Sequence, residues 1–429
     1  MEKTGIIIIG AGASGLMAAY VLSRKGRKVV ILEGRNRIGG RIHTLERGLF
    51  SSAVELGAEF IHGNLPLTLR LLKEAGISNY PSRGEMWQAY NGELGRRSWN
   101  MPEWDELMVA LDRLKEDISI AEFLAENFGE DKYALLRASV ISFVAGYDTA
   151  DPKIASTFAL RTEWQQDDEA DQHRITGGYG QLIDYLEMQC KVNGVEILLN
   201  ATAKLVAWNN NQVQITLWNG ECYLADAAII AVPLGVLKAE ATEPAALVFK
   251  PSPTEHQKAI RQMGYGAIIK ILLQFETPFW VSSDASAIGF VLSDESIPSW
   301  WTQYPVPSNL LTGWLGGLPA EIKKELSEFE LLELAIQSLA NIFNRNENEL
   351  RRELLAFKVV NWTTDPFALG SYAYDTVESH DARLVLRQPV ANKLFFAGEY
   401  LYEGPAIGTV EAALSSGKAV AEQLINFIA

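Results

Sequence analysis

The sequence predicts an α/β fold whose parallel sheet is assembled from separated stretches of chain, with a second unit of mixed sheet and helices inserted twice. Three observations predict it. "GIIIIGAGASGLMAAYVLSRKGRKVVILE", Gly5 to Glu33, reads as a buried strand, a glycine turn, an apolar helix and a second strand. The same texture returns in a buried strand, Ala227–Val232, stopped by Pro233, and in "KLFFAGEYLYEGPAIGTVEAALSSGKAVAEQLINF", a strand, loop and helix near the end. Between these stretches the pattern changes. From about Pro81 to Asp168 it is helical, as in "EWDELMVALDRLKE" and "DKYALLRASVISFVAGY". From about 245 to 385, strands such as "GAIIKILLQF" and "NLLTGWLGG" flank one charged helix, "PAEIKKELSEFELLELAIQSLANIF". The expected division gives residues 1–78, 172–245 and 386–429 to the first unit and 79–171 and 246–385 to the second. A chain of 429 residues is too long for one simple core, which fits two units.

Composition narrows the function. Apolar residues at 48% and charged residues at 21% are an ordinary globular balance. A formal net charge of −15 argues against nucleic acid, which wants a basic face, and is compatible with cationic substrates. Cys190 and Cys222 are too far apart for a local metal motif, and His43, His173, His256 and His380 show no metal spacing, so no metal is expected. The apolar run Ile6–Ile9 is far too short for a signal peptide, and no stretch reaches the ~18 apolar residues of a membrane span. The expectation is a cytoplasmic chain with no membrane partner; an oligomer is compatible with it.

Gly10, Gly12 and Gly15 spell G-x-G-x-x-G between the first strand and helix. The first glycine permits the tight turn, the second lets backbone approach a pyrophosphate, and the third lets helix pack on strand. The helix N-terminus, from Ala13 and Ser14, offers amide donors and partial positive charge to phosphates. Glu33 ends the second strand, where a carboxylate accepts from ribose hydroxyls. Together these read as a Rossmann-type dinucleotide site. "GRNRIGGR" then sets Arg35, Arg37 and Arg41 around Gly39 and Gly40, a second anchor that a nicotinamide domain does not need and FAD does.

"ILEGRNRIGGRIHT" resembles the flavin-containing amine oxidase family, which includes monoamine oxidases, polyamine oxidases and histone lysine demethylases of that fold. By that resemblance the first unit binds FAD, with Glu33 on ribose, Arg41 on pyrophosphate, and Arg35 and Gly40 close by. Arg37 reads as surface charge. "LFFAGE", ending in Gly398 and Glu399, and the helix starting near Gly408 and Thr409 are similar to the family's second flavin motif. There the glutamate meets ribitol hydroxyls and the helix N-terminus faces the isoalloxazine. "LNATAKLVAW" places Ala203 where the family commonly has valine, contacting adenine through backbone. Gly57 and Ala58 of "ELGAEFIHGN" join the cofactor residues.

The chemistry candidates follow. "GYGAIIKILLQFETPFW" is almost continuously apolar except for Lys270. A buried ammonium needs a partner or a function, and an edge-strand lysine is the alternative. The resemblance implies a lysine holding water against flavin N5. "VNWTTDPFALGSYAYD" supplies Trp362, either beside the flavin or in ordinary core, together with Ser371 and Tyr372. Monoamine oxidases attach flavin through a cysteine at the position of Ser371, so the resemblance implies non-covalent FAD here. Tyr372 matches one wall of the aromatic cage around the substrate amine; the second wall, tyrosine in monoamine oxidases, aligns with Thr409, so the two-tyrosine cage is incomplete. His62 matches a histidine that lines the tunnel of polyamine and spermine oxidases, against the alternative of a loop histidine bonded to backbone. Glu59 is a candidate for a diamine's second ammonium. Arg174 is a candidate for a substrate carboxylate or an ordinary surface residue.

The resemblance thus implies an FAD-dependent oxidase that takes hydride from a neutral amine, releases an imine for hydrolysis and passes electrons to dioxygen, giving hydrogen peroxide. Polyamines or secondary amines come first, monoamines second and amino acids third. A carbon–carbon desaturase on the same scaffold and a demethylase-like interaction protein are the readings from other classes.

Overall fold

A computed structural model describes residues 3–82, 84–96, 102–166, 172–281, 287–404 and 406–428. Strand β1 (Lys3–Ile9), helix α1 (Ala13–Arg24) and strand β2 (Val29–Leu32) form the opening β-α-β unit, with β1 and β2 parallel. The four isoleucines of β1 are fully buried because the strand is central and covered on both faces, which is why they do not alternate with polar residues. Cys222–Ile230 lies on the other side of β1, also parallel, and Leu394–Phe396 pairs with its far end at Ala228–Ile230. The sheet therefore draws strands from both ends of the chain. Among the described residues it has eight strands, extended on one side by Glu196–Leu198 and on the other by Val213–Leu217, Ala203–Trp208 and Val248–Lys250. The last of these lies just past the expected boundary at 245.

Helix α1 packs against the C-terminal helix Val410–Ile428 and against Gly180–Val192. Its alanines and glycine allow this, and Gly15 sits where a Cβ would lie 2.0 Å from the Gly10 carbonyl oxygen. Ten of its twelve residues are buried, so it is a core helix with no solvent face to speak of.

The second sheet is mixed. Its order is Leu354–Asn361, Ile268–Phe275, Leu310–Gly316, Ser299–Trp301, Ile288–Ser293, Glu85–Tyr90 and Glu93–Arg96. Only the Ile288–Ser293 and Glu85–Tyr90 pair is parallel. Here the helical reading from Pro81 is corrected: the first part of that region is a β-hairpin. Asn91 and Gly92 both take positive φ, +50° and +78°, as the turn of a two-residue hairpin requires. Helices Pro102–Arg113, Ile120–Asn127, Ala134–Gly146 and Thr157–Gln166 follow and share their own apolar core. The single charged helix is also two, Gly317–Lys323 and Glu328–Phe343. Ser327 opens the second through a capping box with Glu330. Among the described residues no helix is long and apolar enough to cross a membrane.

Gly15→Ala should destabilise the protein by about 1–3 kcal/mol, the usual range for overpacking a filled interior. A melting temperature unchanged from wild type would show that the helix-to-strand contact is slack.

Candidate active site

The glycine turn, the end of β2 and the first turn of the C-terminal helix open on one cavity of about 1900 Å³. This exceeds the roughly 300–1,000 Å³ of ordinary ligand pockets and leaves room for a long nucleotide and a second small molecule. At one end, Gly12 caps α1 with no side-chain hydrogen bond, and a Cβ built on it would meet nothing within 4 Å. The backbone there faces the cavity. Glu33 lines the same end, holding the amides of Ala11 (2.7 Å) and Arg35 (2.9 Å), and burial raises its pKa. Ala13, Ser14, Gly40, Ala58 and Ala203 also line it.

Further along, Glu399 is 3% exposed. Its Oε1 accepts from Arg41 at 2.7 Å, while Oε2 is buried with no hydrogen-bond partner among the described residues. A buried carboxylate oxygen left so on a cavity wall fits a hydroxyl-bearing ligand, and an FAD ribitol supplies one. The resemblance sent Arg41 and Glu399 to different parts of the cofactor; the fold joins them in an ion pair, with Arg41 also donating to the Ser371 carbonyl at 2.6 Å. Arg35 makes a bidentate pair with Asp365 (2.9 and 2.5 Å) and lies over the rings of Trp362 and Phe367. Arg37 is not loose surface charge. Half-buried, it donates to the carbonyls of Ile38, Gly40 and Ile42 and so staples the second glycine turn. Trp362 lines the cavity and donates its indole N–H to the Leu56 carbonyl at 2.9 Å. Gly57 sits beneath it, where a Cβ would be 1.8 Å from the Arg41 carbonyl oxygen.

Lys270 is on a central strand, between Leu354–Asn361 and Leu310–Gly316, and is 1% exposed, so it is no edge-strand lysine. Its Nζ donates to the Gly57 carbonyl at 3.1 Å and to Glu59 Oε2 at 2.9 Å. Glu59 is thereby committed to the protein's own cations and not to a diamine's ammonium. Its other oxygen accepts from Arg174 Nε at 3.0 Å and from the Trp301 indole at 3.1 Å. Burial alone would raise its pKa, but Lys270 and Arg174 outweigh that and hold it at about 2. Arg174 fits neither reading made from sequence. It is 4% exposed, donates to Glu59, Ser82, Thr302 and Tyr304, and lies outside the cavity lining.

The far chamber is walled by Tyr372, His62, Tyr147 and Phe143. His62 Nδ1 stands 3.5 Å from the Tyr147 hydroxyl, at the limit of a hydrogen bond, and burial lowers its pKa to about 4. It is a half-buried wall residue, with no bond to backbone among the described residues. Tyr372 donates its hydroxyl to the Tyr147 carbonyl, and its ring packs on Gly408. Thr409 lines the cavity, and its hydroxyl donates to the Ala406 carbonyl and accepts from the Ala412 amide, capping the C-terminal helix. Ser371 shares a hydrogen bond with Thr149 at 2.8 Å. Tyr147 and Asp148 were missed from sequence; the short "GYD" after a helix was their only signal, since Tyr372 meets that turn only in the fold.

These parts define an FAD-dependent oxidoreductase that acts on amines. The chain belongs to the flavin-containing amine oxidoreductase family, whose model matches residues 13–105 and 102–425. It is 30% identical to polyamine oxidase 2 of Arabidopsis thaliana, over 98% of this chain and 88% of that one. It is 29% identical to polyamine oxidase 4 of rice (Oryza sativa subsp. japonica), over 97% and 88%. Among solved structures, putrescine oxidase bound to putrescine matches with a TM-score of 0.82 over 99% of each chain, at 21% identity. Cyclohexylamine oxidase from Brevibacterium oxydans gives 0.82 over 100% of each, at 20%.

Gly12→Ala should leave the apoprotein's melting temperature unchanged, because the added methyl meets no protein atom. It should weaken FAD binding about tenfold or more, a loss of roughly 1.4 kcal/mol, in a flavin titration.

Proposed function

We propose that the protein oxidises a polyamine or secondary amine, with dioxygen as electron acceptor and FAD held without a covalent bond. The observation that carries this reading is that one cavity joins the glycine cradle, the Lys270 ammonium and the aromatic chamber. Bound FAD supplies a two-electron acceptor for the substrate's C–N bond, giving an imine and, with dioxygen, hydrogen peroxide. Glu33 and Glu399 would hold its hydroxyls, and the N-terminus of α1 its phosphates. Non-covalent binding is supported by the hydroxyl of Ser371 and by the placement of Cys190 and Cys222, neither of which lines the cavity.

The residues of the chamber have separable roles. Tyr372 presents a ring while its hydroxyl is tied to backbone, so it orients and desolvates the amine and does not move a proton. His62, uncharged above about pH 4, does not repel an arriving cation. Lys270 holds a fixed positive charge that disfavours an ammonium beside it, so the nitrogen being oxidised has to be neutral. Asp148 and Glu163 line the chamber and suit a second, charged nitrogen, which favours a polyamine over a monoamine.

An amine panel read by peroxide release tests the reading: polyamines or secondary amines should turn over, and silence with every amine would end it. Lys270→Met should slow anaerobic flavin reduction or reoxidation by about 10²–10³-fold, the usual cost of one preorganised donor; wild-type rates would remove Lys270 from the site. His62 has a folded pKa near 4 against 6.5 unfolded, so its proton costs stability as pH falls from 6.5 towards 4 and leaves it neutral above. The pH profile of kcat/KM should therefore show no limb between about pH 5 and about 8 that His62→Ala abolishes.

A further inference from the structure

We propose that Glu59, held from behind by Arg174, is the positioning residue that fixes Lys270 as an ammonium and leaves one of its N–H groups for the cavity. The inference rests on the proposed placement of Lys270 beside bound FAD. It concerns how that charge is kept.

An ammonium has three donors. Two are spent, on the Gly57 carbonyl at 3.1 Å and Glu59 Oε2 at 2.9 Å, both acceptors lying in the loop before strand Phe60–His62. The third belongs to a side chain that lines the cavity. Glu59 cannot swing away, because Oε1 takes Arg174 Nε at 3.0 Å, Trp301 Nε1 at 3.1 Å and Gln303 Nε2 at 3.4 Å. Arg174 is as firmly placed. Its other nitrogens donate to Ser82 Oγ at 2.9 Å, to the Tyr304 carbonyl at 3.2 Å and to the Thr302 carbonyl at 2.9 Å.

The cluster straddles two sheets. Phe60 pairs with Arg174 across the small sheet of Phe60–His62 and Gln172–Ile175, while Lys270 pairs with Trp314 and Val360 in the seven-stranded one. Glu59 thus ties the lysine of one unit to the arginine of the other. Glu55, from Val54–Glu55, and Tyr80, from Asn79–Pro81, also face the cluster electrostatically. Glu55 is pinned to the Tyr179 amide and to Thr44, so it cannot replace Glu59 as the lysine's partner. Below about pH 7, where burial keeps Glu55 protonated, two cations and one carboxylate leave one net positive charge beside the cavity; above it Glu55 adds a negative charge. Without Glu59, two buried cations would face each other, and the lysine, which can lose its proton, would do so at a lower pH.

The test is the midpoint potential of bound FAD, titrated with a chemical reductant and no amine, from about pH 6 to about pH 10, the span between ordinary histidine and lysine values; every protein compared carries Glu55→Gln, which removes the neighbouring carboxyl whose pKa of about 7 falls in that span. Wild type and Lys270→Met should differ by a constant offset across the range. Glu59→Gln should lie above wild type at the acid end, where both cations are left without the carboxylate, and fall towards wild type at the alkaline end as Lys270 loses its proton. A Glu59→Gln curve parallel to wild type throughout would overturn the proposal. So would a wild-type curve that itself converges on Lys270→Met within the range, a comparison that stands even where Glu59→Gln does not fold. Superimposed wild-type and Lys270→Met curves would instead show that Lys270 is not beside the flavin, ending the placement on which the inference rests. Because no amine is used, none of these outcomes depends on whether the right substrate has been found.

Discussion

Glu59 loses its water on folding, and much of the site is arranged by what replaces that water. A lone carboxylate in such a place costs several kcal/mol and would take up a proton. Here two cations, an indole and an amide replace the solvent, and its pKa falls to about 2. The arrangement constrains everything it touches. Arg174 must lie against Phe60, Lys270 must reach across from the other sheet, and Trp301 must turn its N–H inward. Such clusters seldom add much stability over an apolar core. What this one supplies is a fixed place for a charge.

A second set of charges, half-buried apart from the buried Glu399, joins distant parts of the chain. Arg41 bonds Ser371 and Glu399, and Arg35 bonds Asp365, contacts spanning more than three hundred residues. Each partner sits on a loop leaving a sheet, near the cavity wall. Closing such long loops is unfavourable, though the cost grows only slowly with length. The parallel pairing of Leu394–Phe396 with Cys222–Ile230 already brings the ends close, so the ion pairs refine a geometry that the hydrophobic sheet has set. The shared sheet explains how a cofactor site can be written in two widely separated motifs.

What was legible in the sequence follows from range. The glycine turn and Glu33 were readable because strand, turn, helix and strand are contiguous and each glycine has a local reason. Lys270 was readable as a lone charge in an apolar strand, though its partner was not. Arg174 was misread as surface because its acceptors, the Glu59 carboxylate, the Ser82 hydroxyl and the Thr302 and Tyr304 carbonyls, are brought in by the fold from distant stretches of chain; Arg37 was misread although its acceptors lie within five residues, because they are backbone carbonyls of a turn and carry no side-chain signal. Thr409 was assigned to the substrate by alignment, while its local chemistry, a threonine just before a helix, pointed to a cap. The Asn91-Gly92 turn was a local signal for a hairpin, masked by the helical stretch after it.

The electrostatics of the cavity bear on which amine it suits. Its lining carries Lys270 and carboxylates from the helical insert, Asp148 and Glu163, besides Arg35, Arg41 and Arg383, which are paired with Asp365, Glu399 and Asp375. In the proposed reaction a substrate with one nitrogen would have to be neutral near Lys270 and would carry no charge towards Asp148 and Glu163. A substrate with two nitrogens separated by methylenes satisfies both, one nitrogen neutral and the other protonated, and the apolar walls of Phe143 and Tyr372 suit the chain between. His62, kept neutral by burial, adds no repulsion on the way. The net charge of −15 works in the same sense at longer range, drawing polycations towards the surface. In the proposed reaction, then, discrimination rests on where charge is tolerated along the cavity, with the fixed ammonium of Lys270 as its reference point.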